Sequence, residues 1–262
     1  MYVVNCKYPT TWDHANLYIL SDFHIGDPHA DMEDVYAQLR QIQEDPNALF
    51  VINGDLINTA LKNSVSDVYS ELLSPMEQIR TMVDLLRPIA KKLIGATSGN
   101  HEDRVAKNDG VDIMRLICRE LKVEDRYDPD GVMIFLTFGL RPSHDRHGRH
   151  LQGLTYSIYM THGRGGGRKE GAKAIRLADM ASIVDADIYI HSHSHLPMAM
   201  AESMFRVHES SHTVEEVDKL FVNSSSSLNY GCYGQKNEYK PQSKRHPIIH
   251  LAGGRKLARA TL

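Results

Sequence analysis

Cysteine is scarce in this chain of 262 residues: there are three, Cys6, Cys118 and Cys232, far apart and without C-x-x-C spacing. That scarcity excludes a disulfide framework and a cysteine-based zinc site, and it fits a reduced, cytoplasmic setting. No apolar run approaches the roughly 20 residues that span a bilayer. Met1 to Ala15, with Asn5, Lys7, Thr10, Thr11, Asp13 and His14, lacks the apolar stretch of a secretory leader. An excess of one charge is also missing. Thirty Lys+Arg against 33 Asp+Glu leave −3, so no chain-wide basic field recruits nucleic acid or an anionic membrane. Internal repeats and linkers rich in Pro, Gly or Ser are absent as well, and residues 1–262 read as one domain.

Histidine is what the chain has in excess, fifteen in all, against a usual share of roughly one in forty. Beside a near-neutral net charge, that excess makes metal binding the first hypothesis.

Short apolar runs predict buried strands at Leu17–Leu20, Leu49–Ile52, Lys92–Ile94 and Asp187–Ile190. Helical spacing links Met32, Val35, Leu39 and Ile42, and Ser74-Pro75-Met76-Glu77 is a capping box with proline at the first helical position. Pro88 stops that helix. Two more helices are predicted over about Val111 to Leu121 and Ala172 to Val184, and a short one near Arg104. Strand and helix alternate as far as Leu121, which indicates βαβ units. Beyond it, Gly131–Leu140 and Leu154–Met160 read as adjacent strands joined by a polar loop, 141–152. Further short strands are expected at Met204–His208, Leu220–Asn223 and Ile248–Leu251. The class is α/β, with a largely antiparallel contribution from the second half.

Each strong strand runs into an unusual polar cluster: Ser21-Asp22-Phe23-His24, Asn53-Gly54-Asp55, Ser98-Gly99-Asn100-His101-Glu102, Thr161-His162-Gly163 and His191-Ser192-His193-Ser194-His195. Ligands bind at the carboxyl ends of strands in open α/β sheets, so five such ends would converge on one place. Residues i and i+2 of an extended segment point the same way, which pairs Asp22 with His24 and His193 with His195. Carboxylate, amide and imidazole together suit borderline divalent metals. Seven candidate ligands (Asp22, His24, Asp55, Asn100, His162, His193 and His195) are too many for one tetrahedral ion and suffice for two sharing a bridging carboxylate. Such a pair, about 3.5–4 Å apart, clamps both oxygens of an in-line displacement at phosphorus.

Taken in order, Asp22-x-His24, Gly54-Asp55, Gly99-Asn100-His101-Glu102, His162-Gly163 and His193-x-His195 resemble the calcineurin-like metallophosphoesterase superfamily. The ensemble is similar to its compact phage or bacterial members. The resemblance implies a four-layer α-β-β-α sandwich with two mixed β-sheets. It implies that Asp22, His24 and His195 hold one divalent ion, that Asn100, His162 and His193 hold the other, and that Asp55 bridges them. Manganese is expected first, with iron, zinc, nickel and cobalt as alternatives. It further implies that a hydroxide shared by the ions attacks phosphorus. Asp55 and His101 are then the catalytic residues, with Asn100 and His101 also contacting the phosphoryl group and His101 protonating the leaving group. Two departures stand out. Asn58 replaces the Asp that pairs with the catalytic histidine in protein phosphatases; an amide orients His101 without stabilising its imidazolium. Ser192 stands where the family usually has glycine, with little consequence expected. Asn58 is expected behind the ligands, and His191 either there or as a packed core histidine.

The basic, glycine-rich segment from Gly163 to Lys169 offers Arg164 and Arg168 to a phosphate, or is a solvated rim. Arg104 is read as a surface salt bridge or, failing that, an active-site cation. The 223–227 stretch reads as a structural turn. Residues 59–74 form a long connection that would serve as a lid. Basic patches at 141–150 and in the tail 236–259, where seven Lys+Arg face one acidic residue, would contact nucleic acid or be solvated faces. The leading reading is a dinuclear phosphodiesterase acting on a nucleotide or nucleic acid, a nuclease included. Its rivals are a phosphomonoesterase for a protein or small metabolite, and a catalytically silent, metal-stabilised interaction module. No membrane partner is expected, and the oligomeric state is not legible.

Overall fold

The computed structural model describes every residue except 9–11, 63–67, 146–147, 166, 168, 232–233 and 236–237, and along 140–152 it describes the backbone alone. The described elements run in the order β1 (Tyr2–Tyr8), β2 (His14–Leu20), α1 (Met32–Glu44), β3 (Ala48–Asn53), α2 (Pro75–Leu86), β4 (Leu93–Thr97), α3 (Asn100–Asp109), α4 (Ile113–Glu120), β5 (Val132–Asp145), β6 (Gly148–Met160), α5 (Glu170–Ala178), β7 (Ile188–His191), β8 (Met198–His208), β9 (Thr213–Asn223), β10 (Ile248–Ala252) and β11 (Ala258–Thr261).

Both sheets are mixed. One has five strands in the order β11-β10-β2-β3-β4, with β2, β3 and β4 parallel and β10 antiparallel to β2. The other has six, β1-β5-β6-β7-β9-β8, in which β6, β7 and β9 are parallel. Strand alternation assigns the layers. Leu17, Ile19, Leu49 and Val51 face the second sheet and pack on Ile134, Ile158, Ile188 and Val222. Tyr18, Leu20, Phe50 and Ile52 face the other way, onto Val35 and Leu39 of α1, Met82 and Val83 of α2, and Met114 and Ile117 of α4. On the far side, Met133, Tyr159, Tyr189 and Phe221 meet Leu177 and Met180 from α5 and the 3-10 turn after it. The result is a helix–sheet–sheet–helix sandwich. Each fully buried Leu, Ile or Val contributes about 1.5–3 kcal/mol. Because β2 and β3 are covered on both faces, their sequences are continuous apolar runs.

The capping box is formed: the Ser74 hydroxyl accepts from Glu77 N–H, and Glu77 accepts from Ser74 N–H at 2.8 Å. Four expectations need correction. The predicted polar loop is largely a hairpin, since β5 continues to Asp145 and β6 starts at Gly148. Ladder bonds need only N–H and C=O groups, which polar residues supply as well as apolar ones. The predicted helix after Ala172 is divided, with α5 ending at Ala178 and a 3-10 turn following. Strand β8 begins at Met198 rather than Met204, and β1 and β11, both at sheet edges, lie outside the expected strands. Of the proposed lid, residues 63–67 lie outside the described residues. No helix among the described residues is long and apolar enough to cross a membrane.

Candidate metal centre

All five polar clusters follow the carboxyl ends of β2, β3, β4, β6 and β7. The backbone there departs from extended geometry. Asp22, His24, Asp55, His193 and His195 have φ of 53°, 51°, 53°, 62° and 55°. In this left-handed region an L-residue costs about 1–2 kcal/mol, and Asp, Asn and His tolerate it best. The paired candidate ligands at i and i+2 therefore converge through left-handed turns, not through the strand alternation expected from spacing.

Main-chain bonds hold the turns together. Asp22 N–H donates to Gly54 O at 3.1 Å, His24 N–H to Asp55 O at 3.1 Å, and Ser192 N–H to His162 O at 3.1 Å. Glu102, on the first turn of α3 and fully buried, clamps the β3 and β4 loops. Its Oε2 accepts from Asp55 N–H at 2.9 Å and Gly99 N–H at 3.0 Å, and its Oε1 from Ile57 N–H at 3.2 Å. Gly99 is required by the close approach: a Cβ there would lie 2.1 Å from Asp55 Oδ1. Burial, reinforced by Asp55, pushes the Glu102 carboxyl up to about 7.

Two sets of donor atoms result. Asp22, His24 and His195 bring ligand atoms within 4.8 Å of one another, and Asp55, His162 and His193 do the same. Asp55 also groups with His24 and His101, so it lies between the sets. Asn100 begins α3 and is exposed, lining a cleft with His162 and Arg164. His162 Nδ1–H donates to Asn53 O at 2.6 Å, which aims Nε2 at the centre.

The chemistry of these atoms tests whether cations fit. Both carboxylate oxygens of Asp22, and Nε2 of His24 and His162, are buried without a hydrogen-bond partner among the described residues. An orphaned buried polar atom costs about 1–3 kcal/mol, more when charged. His162 Nε2 faces Asp55 Oδ2 at 3.1 Å, and His195 Nε2 faces Asp22 Oδ1 at 3.1 Å. Such pairs repel unless a proton or a cation mediates between them. Burial lowers the His162 imidazole, but Asp55 outweighs it and lifts the group to about 10. Burial likewise raises Asp22, and His195 overrides it, leaving the carboxyl near about 2. Burial holds His193 down at about 4, aided by His162, and holds His24 well below the usual histidine range. Anionic Asp22 and Asp55 beside the neutral imidazoles of His24 and His193, with His162 carrying a proton that a cation would displace, form a donor set that fits a divalent cation.

The group that orients His101 differs from expectation. Its Nδ1–H donates to the main-chain carbonyl of Asn58 at 2.9 Å, and its Nε2 lies 4.0 Å from Asp55 Oδ2. The Asn58 carboxamide turns away, donating to Glu71 Oε1 and, at 3.5 Å, to Asp27 Oδ2. A backbone carbonyl, not the Asn58 side chain, thus fixes the tautomer of His101. Burial keeps its imidazole below the ordinary value.

Ser192 also differs from expectation. A buried polar seam crosses both sheets beneath the ligand turns. Thr97 Oγ1 donates to Asn53 Oδ1 at 2.9 Å, Asn53 Nδ2 to Ser192 Oγ at 2.6 Å, and Ser224 Oγ to Ser192 Oγ at 2.8 Å, with Ser21 Oγ 2.6 Å from Ser224 Oγ. A hydroxyl at 192 takes two of these bonds where glycine would take none. His191 Nδ1–H donates to Asn223 Oδ1 at 2.9 Å, and its ring fills the space that a Cβ at Gly163 would need. The amide of Asn223 secures Leu196 O at 2.7 Å, a structural role for the head of the 223–227 stretch. Arg164 is exposed on the cleft, its carbonyl held by Arg176 Nη1–H at 2.6 Å, whereas Arg168 lies outside the described residues. Arg104 is half-buried, and burial lowers its guanidinium against the pull of Asp55, Glu102 and Glu71.

Glu102, Asn53 and Glu71 are the supporting residues that sequence reading missed. Glu102 and Asn53 belong to the quoted clusters and carried a signal; Glu71 carried none.

Residues 23–197, more than half of the chain, match the family model described as calcineurin-like phosphoesterase, and the chain belongs to that family. No curated protein matches the sequence. Among solved structures, a conserved uncharacterised protein of Streptococcus pneumoniae TIGR4, described as a predicted phosphoesterase, is similar at 13% identity over 96% of this chain and 99% of that one, with a TM-score of 0.36. A Vps29 from Entamoeba histolytica complexed with zinc is similar at 12% identity over 94% of this chain and 98% of that one, with a TM-score of 0.37. The family assignment rests on the sequence match.

Proposed function

We propose that this chain is a hydrolase of phosphodiesters, of a nucleotide or nucleic acid, that works with two divalent cations, manganese foremost. Asp22, His24 and His195 would hold one cation, Asn100, His162 and His193 the other, and Asp55 both. The observation that carries this reading is the set of orphaned, buried donor atoms on either side of Asp55. Cations bound there would neutralise phosphoryl oxygens and lower the pKa of water to about 7.

The protein's own contribution is orientation and proton handling. With Nδ1–H committed to Asn58 O, His101 presents Nε2 to the centre. There it contacts a phosphoryl oxygen and, when protonated, passes its proton to the departing ester oxygen. Arg164 and Asn100 line the cleft through which a phosphate reaches His162. Among the described residues no carboxylate pairs with His101 Nδ1, so its imidazolium gains little support. A diester, or any substrate with a good leaving group, suits that arrangement better than a phosphoprotein does. The same geometry serves a phosphomonoesterase, and substrate comparison separates the two.

Elemental analysis of the purified chain is expected to find about two divalent ions. With Mn²⁺, an aryl phosphodiester should be hydrolysed faster than its monoester analogue, with single-stranded DNA as the third substrate. His101→Ala should keep the metal and lose about 10²–10⁴-fold in turnover, the share of a positioned acid–base group. If the wild type hydrolyses none of the three, the chain is a metal-stabilised interaction module.

A further inference from the structure

Glu71 lies in the connection between β3 and α2, outside every ligand cluster, yet both of its carboxylate oxygens are engaged. Oε1 accepts from the carboxamide of Asn58 and Oε2 from that of Gln78. Both partners lead to His101. Asn58 supplies the carbonyl that receives His101 Nδ1–H at 2.9 Å. Gln78, fully buried, accepts at its Oε1 from Thr59 N–H at 2.9 Å, and the Thr59 hydroxyl donates to His101 O at 2.8 Å. Thr59 itself is left-handed, with φ of 40°. For a β-branched residue that is a strained backbone, which persists only when its surroundings over-determine it. The connection carrying Glu71 is tied down in turn, with Leu72 N–H donating to Gly26 O at 2.8 Å and Gln78 Nε2 to Leu73 O at 2.9 Å.

We infer that Glu71 is a positioning residue for His101: its carboxylate braces Asn58 and Gln78, and these hold the strained 58–59 backbone that fixes the imidazole. This rests on the role given to His101 above. The requirement is for a carboxylate in particular, because two amide donors must be met by two acceptor oxygens. A glutamine at 71 would face one of them with its own NH₂ group. The described end of the 59–74 connection is thus a brace for the site.

The test combines kinetics with a signal that needs no turnover. In Glu71→Ala, kcat should fall by about 10–10²-fold, the scale of a small misplacement of a reacting group, with KM and bound Mn²⁺ unchanged. The loss should be larger for esters with poor leaving groups. In a His101→Ala background the same substitution should cost nothing further, since positions in one chain of action are non-additive. Independently of activity, the NMR signal of the His101 Nδ1–H tautomer should be lost or averaged in Glu71→Ala. Glu71→Gln, with one acceptor retained, should fall between, and it serves in place of the alanine variant if that one does not fold. An unperturbed His101 tautomer, or equal losses with and without His101, overturns the inference. Absence of hydrolysis by the wild type, or full activity of His101→Ala, instead overturns the mechanism on which it rests, and the tautomer signal still decides whether Glu71 positions the ring.

Discussion

At the scale of single residues, this site is built on backbone conformations that few side chains accept. Five candidate ligands are left-handed, and their identities, Asp and His, are among the types that pay least for it. The order of these residues along the chain was legible, because ligand chemistry resides in side-chain identity. The reason they converge was not, because φ is absent from a pattern of letters. Glu102 shows the same division. It was visible in Gly99-Asn100-His101-Glu102, but only the folded chain shows it accepting from three buried N–H groups. Replacing it with alanine strands those donors at about 1–3 kcal/mol each, offset in part by relief of repulsion with Asp55. Glu102→Ala should therefore lose about 2–4 kcal/mol in urea unfolding, with an unchanged m-value marking a native-state effect. A variant as stable as wild type would show that the clamp is dispensable.

Between elements, α5 supports the ligand turns from outside. Lys173 Nζ donates to Ser194 O at 2.8 Å, midway between His193 and His195, and Arg176 reaches back to Arg164 O. The apolar spacing that announces a helix after Ala172 says nothing of this, since the polar face alone makes these bonds. Lys173→Met keeps the aliphatic stem and removes the donor. It should weaken Mn²⁺ binding by about 10–100-fold, as loss of a ligand-supporting contact does elsewhere, while leaving the circular dichroism spectrum unchanged. Titration calorimetry measures this, and wild-type affinity would remove α5 from the site's support. The β5–β6 hairpin teaches a complementary lesson: a ladder of polar residues escapes a reading keyed to apolar periodicity.

For the molecule as a whole, two sheets share one core, and their strand ends meet at a rim where charge outweighs apolar contact. Buried carboxylates and imidazoles without partners destabilise the fold until a counter-charge joins them. Anything that binds the native chain alone stabilises it, by about 2.7 kcal/mol at one hundred times Kd. Mn²⁺ at that concentration should raise Tm by roughly 5–10 °C relative to chelator-treated protein, and an Asp55→Asn variant should respond less. Identical melting curves with and without the ion would contradict the metal centre.

Taken alone, the sequence determined the alternation of buried strands and helices and the succession of Asp, Asn and His at their ends. Continuous apolar runs betray strands covered on both faces, and a metal ligand is recognisable by its chemistry. Only the tertiary structure decided that Asn58 turns its amide toward a glutamate thirteen positions on, that Ser192 links the sheets, and that a carbonyl selects the tautomer of His101. Those contacts join residues that no local periodicity relates, and each depends on which of several hydrogen-bonding groups the fold brings within about 3 Å.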